Sequence, residues 1–464
     1  MFTFTVKLSS LKFEDRLIPA FYHDLLIQRR NSKLKYCLIS QYFDVSDGEH
    51  SHIHRNSSGG IRYFYGRDIK EEAINFDPVS DDSYVLPEDF EKFPRCHVSD
   101  GDLLMPIYGT IGKSAIYFKK RHGVAGVPRH IGILTLKPGV KDIDQYFLSC
   151  YFRNKSIRSK LIGASTGNIQ KLLSLTTIKQ TEIVLPDADL LSSVSNNERD
   201  AISLEAKAFS LLEDAKNLVY QKLPFDIRGI QEKKSFSVKL SDFETHDNSW
   251  SASLYRNLYI QTVAAVSSHP HFILSEYYSF EKGVEVGSKQ YVSYCTCDFG
   301  AIPFIRTSDV VNNSPDYYTD FFVSSSEFSK SSVPSGRVLF TKDGKIGCVA
   351  MTDSSNHFLV SSGFAIFNVL DPDNPLGLTN EYLFTLLSMK EIGRYQGLMG
   401  TVVASTIPHL REDKINNFIL PLLSKEDIEK VTSLVKEAFE DKAKRLDLLK
   451  KDDLLLDSFI KKAF

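Results

Sequence analysis

Tryptophan is nearly missing from this chain, with one residue in 464, and cysteine is scarce, with six. Cys37, Cys96, Cys150, Cys295, Cys297 and Cys348 form no CxxC pair and have no histidine spacing beside them, which argues against the common zinc frameworks. Reduced, buried thiols are the reading that remains. A strong charge of either sign is also missing: 56 Lys and Arg against 58 Asp and Glu give a formal net charge of −2. That argues against simple non-specific DNA binding through a basic excess, and leaves local basic faces open. No run approaches the roughly 18 apolar residues of a membrane span, and the opening MFTFTVKLSS has no apolar core of signal-peptide length. These absences predict a cytosolic globular chain with no membrane association, long enough for two or more domains.

Catalytic signatures are missing as well. A familiar adenine methyltransferase carries (N/D)PP(Y/F), and the nearest segment, Asp373-Asn-Pro-Leu376, lacks the second proline and the aromatic. No GxGxxG opens a βαβ unit. Gly109–Ser114 reads GTIGKS, the end of a phosphate-binding loop, but Ile107 stands where the first glycine is required. Asp200 with Glu205-Ala-Lys207 imitates a nuclease pattern inside a helical stretch, where the side chains fan around the axis instead of converging. His50, His52 and His54 alternate, which on a strand puts three imidazoles on one face. Metal binding, DNA contact and a plain solvated loop are the three readings of that triplet, and the Gly/Ser/Asn-rich surroundings favour the last two.

The positive signal is an internal duplication of long period. FTVKLS at 4–9 returns as FSVKLS at 236–241, and FYHDLLIQ at 21–28 as LYRNLYIQ at 254–261. GIRYFYGRDI at 60–69 aligns with AIPFIRTSDV at 301–310, and GDLLMPIYGTIGKSAIY at 101–117 with GRVLFTKDGKIGCVAM at 336–351. Gly109 and Gly112 fall 235 residues before Gly344 and Gly347, and Pro186 falls 235 before Pro421. So regular an offset implies tandem copies of one plan.

After each proline the texture changes. From about Ala188 to Leu223 there is no Pro or Gly, and Ile202, Ala206, Phe209, Leu212, Val219 and Leu223 recur at helical spacing until Pro224. From Leu423 to Phe464 the same holds, with Ile428, Val431, Val435, Ala438, Leu446, Leu449, Leu456 and Ile460 as the stripe and Ser424 as the start signal. A helix of roughly 36 residues spans on the order of 54 Å. An amphipathic helix that long needs a partner, and the other copy supplies one, antiparallel in a two-fold arrangement. The globular parts, rich in Tyr, Phe, Val, Ile and Ser with frequent Gly and Pro, predict short strands, among them 131–136 and 363–369, with short helices at 146–161 and 381–395. The predicted fold is α+β: strand-rich domains at 1–186 and 236–421, long coiled-coil-like helices at 187–223 and 422–464, and a linker at 224–235.

The GDLL…GTIGK segment and its second copy, the LP-then-long-helix junctions, the Asp47-Gly-Glu-His50 turn and the duplication together resemble the DNA specificity subunit of type I restriction–modification systems, over the whole chain. The resemblance implies two target-recognition domains, each reading half of a bipartite, asymmetric site, and paired helices that act as spacer and dock. It implies a subunit without catalytic activity or cofactor of its own. The implied partners are double-stranded DNA, adenine methyltransferase subunits that bring S-adenosylmethionine, and a restriction/translocase subunit where restriction accompanies modification. The second copy departs from the pattern where Lys113 becomes Cys348 and where Asp47-Gly-Glu-His50 has no clear counterpart.

Cationic and amide side chains suited to phosphates and base edges are the candidate DNA contacts. In the first copy they are His50, His52, Arg55, Asn56, Arg62, Arg67, Lys113, Arg129 and His130, with the turn Gly109, Thr110 and Gly112; in the second, Lys289, Gln290, Arg306, Asn312, Lys342 and Lys345. A helix separation on the order of 50 Å limits the half-sites to within roughly 15 base pairs. Two readings of other classes stand beside this one: a stand-alone nuclease with an unrecognised site, and an interaction protein using its helices as a rod.

Overall fold

Short β-branched and aromatic runs bounded by Gly, Pro and Asn make the strands of this protein, and alternation sets their faces. Phe43, Val45 and Asp47 are buried along Phe43–Asp47 while Asp44 and Ser46 are exposed. Leu103–Pro106 is buried throughout, as a central strand covered on both faces must be. The computed structural model describes residues 33–463 apart from 57–58, 71–72, 76–82, 110, 168–170, 234, 240–251, 288–300, 320, 325–331, 354–356 and 404–406. Thr110, Lys289 and Gln290, the side chain of Asn56, and the paired segments 4–9 and 21–28 lie outside the described residues.

The chain divides into two units, Met1–Ser203 with Arg445–Phe464, and Leu204–Lys444. In the first, Phe43–Asp47, Ile131–Leu136, Leu103–Pro106 and Ala115–Ile116 form an antiparallel sheet in that order. A second sheet runs Arg55–Asn56, Tyr84–Val85, Ile61–Tyr63, Ala125–Gly126, its last pairing parallel. Tyr36–Leu38 pairs with Glu182–Val184. The predicted helix at 146–161 is two helices, Gln145–Arg153 and Lys155–Gly163, because Asn154 leaves helical geometry and caps the second through Ser156 and Ile157.

The second unit repeats this order. Tyr278–Lys282, Phe364–Val369, Val338–Thr341 and Val349–Met351 form the equivalent antiparallel sheet. Phe322–Ser324, Ala301–Ile305 and Leu359–Val360 form the smaller one, again with a parallel last pairing. His271–Ile273 pairs with Ile419–Pro421. Tyr36, Phe43 and Leu103 each begin a strand 235 residues before His271, Tyr278 and Val338 begin theirs. Even the helix caps correspond: Asp144 accepts from the Phe147 amide, and Thr379 from the Tyr382 amide.

The long helices are Ala188–Lys222 and Lys425–Ala463. Asp187 caps the first through the Leu190 amide, and Ser424 caps the second through the Asp427 amide. In the first unit Asn197 reaches Asp452 at 2.6 Å. In the second, Lys222 pairs with Asp427 at 3.2 Å and Lys207 with Glu437 at 2.7 Å. In the second unit rising numbers on one helix meet falling numbers on the other, so the helices pair antiparallel there. The buried line of the first helix is Val194, Glu198, Ala201, Glu205, Ala208, Leu212, Ala215, Val219, alternating steps of four and three. That corrects the sequence stripe: Ile202, Ala206 and Phe209 flank the seam, one position away from it. The stripe of the second helix holds at all eight positions. Among the described residues no helix is long and apolar enough to cross a membrane.

Candidate nucleic-acid interface

Two glycine turns sit at the same place in the two units. Gly109 and Gly112 have φ of 77° and 87°, and Gly344 and Gly347 have 70° and 84°, in the left-handed region that favours glycine. A Cβ on Gly112 would meet Arg158 Cγ at 2.9 Å, and one on Gly347 would meet Arg394 Cγ at 2.7 Å. The Gly109 amide donates to Lys171 O and the Gly344 amide to Pro408 O, both at 2.9 Å, which ties each turn to a following hairpin. Lys113, just after the first turn, is buried, as is Cys348 at the matching place. The change that looked like a departure at the contact surface is therefore a substitution inside a core slot.

The Asp47-Gly-Glu-His50 turn ends the first strand of the larger sheet. A Cβ on Gly48 would lie 2.1 Å from Val127 O, and one on Gly283 would lie 2.1 Å from Ser361 O. Lys282-Gly283-Val284-Glu285 is thus the counterpart that the sequence left unassigned; only its glycine is retained. Glu49 Oε1 accepts from the amides of Ser51 at 2.7 Å and His50 at 2.9 Å, and these bonds, the Ser51 amide first, hold its carboxyl below the ordinary value. Asp47 accepts from His50 Nε2 at 2.9 Å and from Arg95. Burial pushes the Asp47 carboxyl up, but the bonds from Arg95 and then His50 outweigh it, and its pKa lies below the usual range. His50 and Arg95 are both half exposed. Arg95 was missed in the sequence, where Phe-Pro-Arg-Cys-His carries no contact pattern. The three histidines do not converge: His50 is held by Asp47, while His52 and His54 stack edge to face at 5.5 Å. The described thiol and carboxylates that do draw together are Cys150, Glu198 and Asp452, and the Arg153 guanidinium occupies that place, 3.2 Å from Cys150 Sγ and 2.5 Å from Glu198 Oε1.

Arginines and tyrosines alternate along the neighbouring face. The Arg55 guanidinium lies 4.1 Å over the Tyr63 ring and its Nε donates to Tyr65 Oη at 2.5 Å. Arg67, exposed, lies 4.6 Å over Tyr65. Arg62 is a different case. It is buried, with Nη2 at 3.2 Å from Asp68 Oδ1 and Nη1 at 3.0 Å from Ser83 O, so its role is to hold the sheet. Arg129 is exposed beside His130, whose ring stands 5.3 Å from Tyr108. Burial first, and then Arg129 and His50, push the His130 pKa down.

Among the described candidates, fewer in the second unit reach solvent. Asn312 is buried in a left-handed turn at φ 48°, and its carbonyl accepts from Lys442 Nζ at 3.0 Å. Lys342 is buried with Nζ 3.4 Å from Asp343. Arg306 forks onto Asp309 at 2.9 and 3.1 Å and covers the Phe321 ring, with its outer part accessible. Asp309 accepts from the Arg306 amide at 3.0 Å as Asp68 does from the Tyr65 amide at 2.9 Å, so the two turns are one device. Lys345 is half-buried on the glycine turn. Arg62, Lys113, Asn312 and Lys342 are thus side chains of the interior, drawn there by ion pairs, carbonyls and packing that a linear reading does not display.

Residues 284–444 match the type I restriction modification DNA specificity domain family. The likeness is confined to this part of the chain, about a third of its length. The specificity domain is the non-catalytic DNA-recognition component of type I restriction–modification systems. The match falls within the second unit, and the first unit repeats the order of the larger specificity-domain sheet. The chain is also similar to the S subunit of a type I restriction–modification system from M. genitalium, at 12% identity and a TM-score of 0.36, over 94% of this chain and 98% of that one. To the HsdS subunit from Thermoanaerobacter tengcongensis it is 13% identical with a TM-score of 0.29, over 93% and 97%. No curated protein matches the chain.

Proposed function

We propose that this chain is the recognition subunit of a DNA adenine methyltransferase complex in a cytoplasmic phage-defence system. Each unit reads one half of an asymmetric, gapped site. The long helices set the spacing and dock the methyltransferase subunits, which bring S-adenosylmethionine, and the restriction/translocase subunit where restriction accompanies modification. The observation that carries this reading is a repeated scaffold whose accessible side chains differ. Arg55, Arg67, His50 and Arg129 stand on the first unit, while Arg306 and Lys345 stand on the second. Phosphate contacts from such residues give grip and register, and the differing base-edge groups give two readouts. A near-neutral net charge leaves part of the phosphate grip to the partners.

The reading is tested by exchange. Replacing residues 1–186 with the matching segment of another specificity subunit, in cells that carry the methyltransferase, changes one half of the methylated motif and leaves the other. Replacing 236–421 changes the second half. A motif unaltered by both exchanges, in a complex that still methylates, rules the reading out.

A further inference from the structure

In each unit the glycine turn and the hairpin bonded to it make an exposed ledge. Tyr108 bridges Leu172 in the first unit, and Asp343 bridges His409 in the second, at the same place in the fold. On the second hairpin Val402 pairs with His409 and Thr401 with Leu410. Alternation puts Thr401 and Leu410 inward, where both are buried, and Val402 with His409 outward. Val402 is 40% exposed and Ile407 49%; Tyr108 is 38% exposed and Leu172 40%. Each ledge thus carries two large apolar side chains that are more than a third exposed, a feature that calls for an occupant. An imidazole stands beside each set: His130 lies 5.3 Å from the Tyr108 ring, and His409 is held by Asp343 at 3.0 Å. Lysine is present on both, as exposed Lys171 and half-buried Lys345.

The divergence between the ledges decides the occupant. A protein partner repeated on both units would meet the same chemistry twice, yet Tyr faces one ledge where Asp faces the other, and Leu where His does. A bipartite duplex presents different bases to each unit. Apolar side chains on a DNA-facing edge match the one apolar group in the major groove, the thymine C5-methyl, and an imidazole beside them offers a donor or acceptor to a base edge. The geometry points to these ledges as thymine-reading elements, Tyr108 and Leu172 for one half-site and Val402 and Ile407 for the other, with His130 and His409 taking the adjacent hydrogen bond. This inference rests on the DNA-reading assignment above.

The test uses the full chain reconstituted with its methyltransferase and duplexes carrying the mapped methylation motif, with deoxyuridine replacing thymine in one half at a time, which removes the methyl group alone. The wild-type complex loses about fourfold in affinity for each methyl contact removed. The Val402→Ser/Ile407→Ser variant becomes indifferent to the exchange in one half and stays sensitive in the other, and Tyr108→Ser/Leu172→Ser shows the mirror pattern. Retained sensitivity in the untouched half proves that each variant is folded. The inference is overturned if wild type does not distinguish the duplexes, if the variants stay as sensitive as wild type, or if they lose the methyltransferase while discriminating DNA as before. Absence of any motif-selective binding by the wild-type complex overturns the DNA-reading assignment itself.

Discussion

Lys442 Nζ lies 3.2 Å from Glu205 Oε1 inside the second unit, with both side chains almost wholly buried, and also donates to the Asn312 carbonyl at 3.0 Å. A charged pair thus occupies the seam of the helix pair and props a left-handed turn of the recognition body. Charges buried together stabilise little in total, but removing one strands the other. Lys442→Met should therefore cost about 3 kcal/mol or more, while Lys442→Met with Glu205→Leu should recover most of it. Urea denaturation of the two variants measures this. Equal loss in both would mean that the pair is not the source.

Asp452 makes the first unit pH-sensitive. It is fully buried on the helix pair, and burial, reinforced by Glu198, lifts its pKa to about 7 against the pull of Asn197 and Arg153. The unfolded chain ionises this group near 3.9. Between about pH 4 and pH 7 the folded state holds a proton that the unfolded state has lost, so stability falls as pH rises through that window and levels above it. His122 acts in the opposite sense. Burial pushes its pKa down to about 3, so its contribution is lost as pH falls below the ordinary imidazole value. Asp452→Asn isolates the carboxyl: relative to wild type the variant gains stability steadily from pH 4 to pH 7. Parallel melting profiles would contradict this.

The glycine turns differ in tolerance. Gly112→Ala and Gly347→Ala combine a left-handed backbone with a clash against Arg158 or Arg394, and each should cost about 2–3 kcal/mol. Gly109→Ala faces open space and should cost about 1 kcal/mol. Calorimetric melting ranks the three.

Arg62 and Arg67 separate folding from binding. Arg62→Ala strands buried Asp68 and should destabilise the first unit by about 3 kcal/mol. Arg67→Ala should leave stability within about 0.5 kcal/mol, weaken DNA binding, and reduce the salt slope of binding by roughly one. Titrations at several salt concentrations, beside melting curves, distinguish the two.

Much of the frame was legible because repetition preserved its backbone-critical residues. The paired glycines, the LP junctions and Ile131–Leu136 could all be read directly. The seam of the first helix was not, because Glu198 and Glu205 occupy core positions and a hydrophobic pattern skips them; Lys442 and Asp452 fill the gaps of the second. The Gly283 turn escaped because a close approach to Ser361 needs the glycine and nothing around it. Site residues were harder still. Arg62 and Arg67 look alike in sequence, and Asp68 with the Ser83 carbonyl holds the first inward. Arg95 joins His50 through Asp47, across 48 residues.

The most direct measurement is long-read methylation mapping of a genome expressing this chain with its methyltransferase, before and after deletion of its gene. The account predicts an asymmetric, gapped, methylated adenine motif that vanishes on deletion. Methylation unchanged by the deletion would contradict it and would return the helical rod and the unrecognised nuclease to consideration.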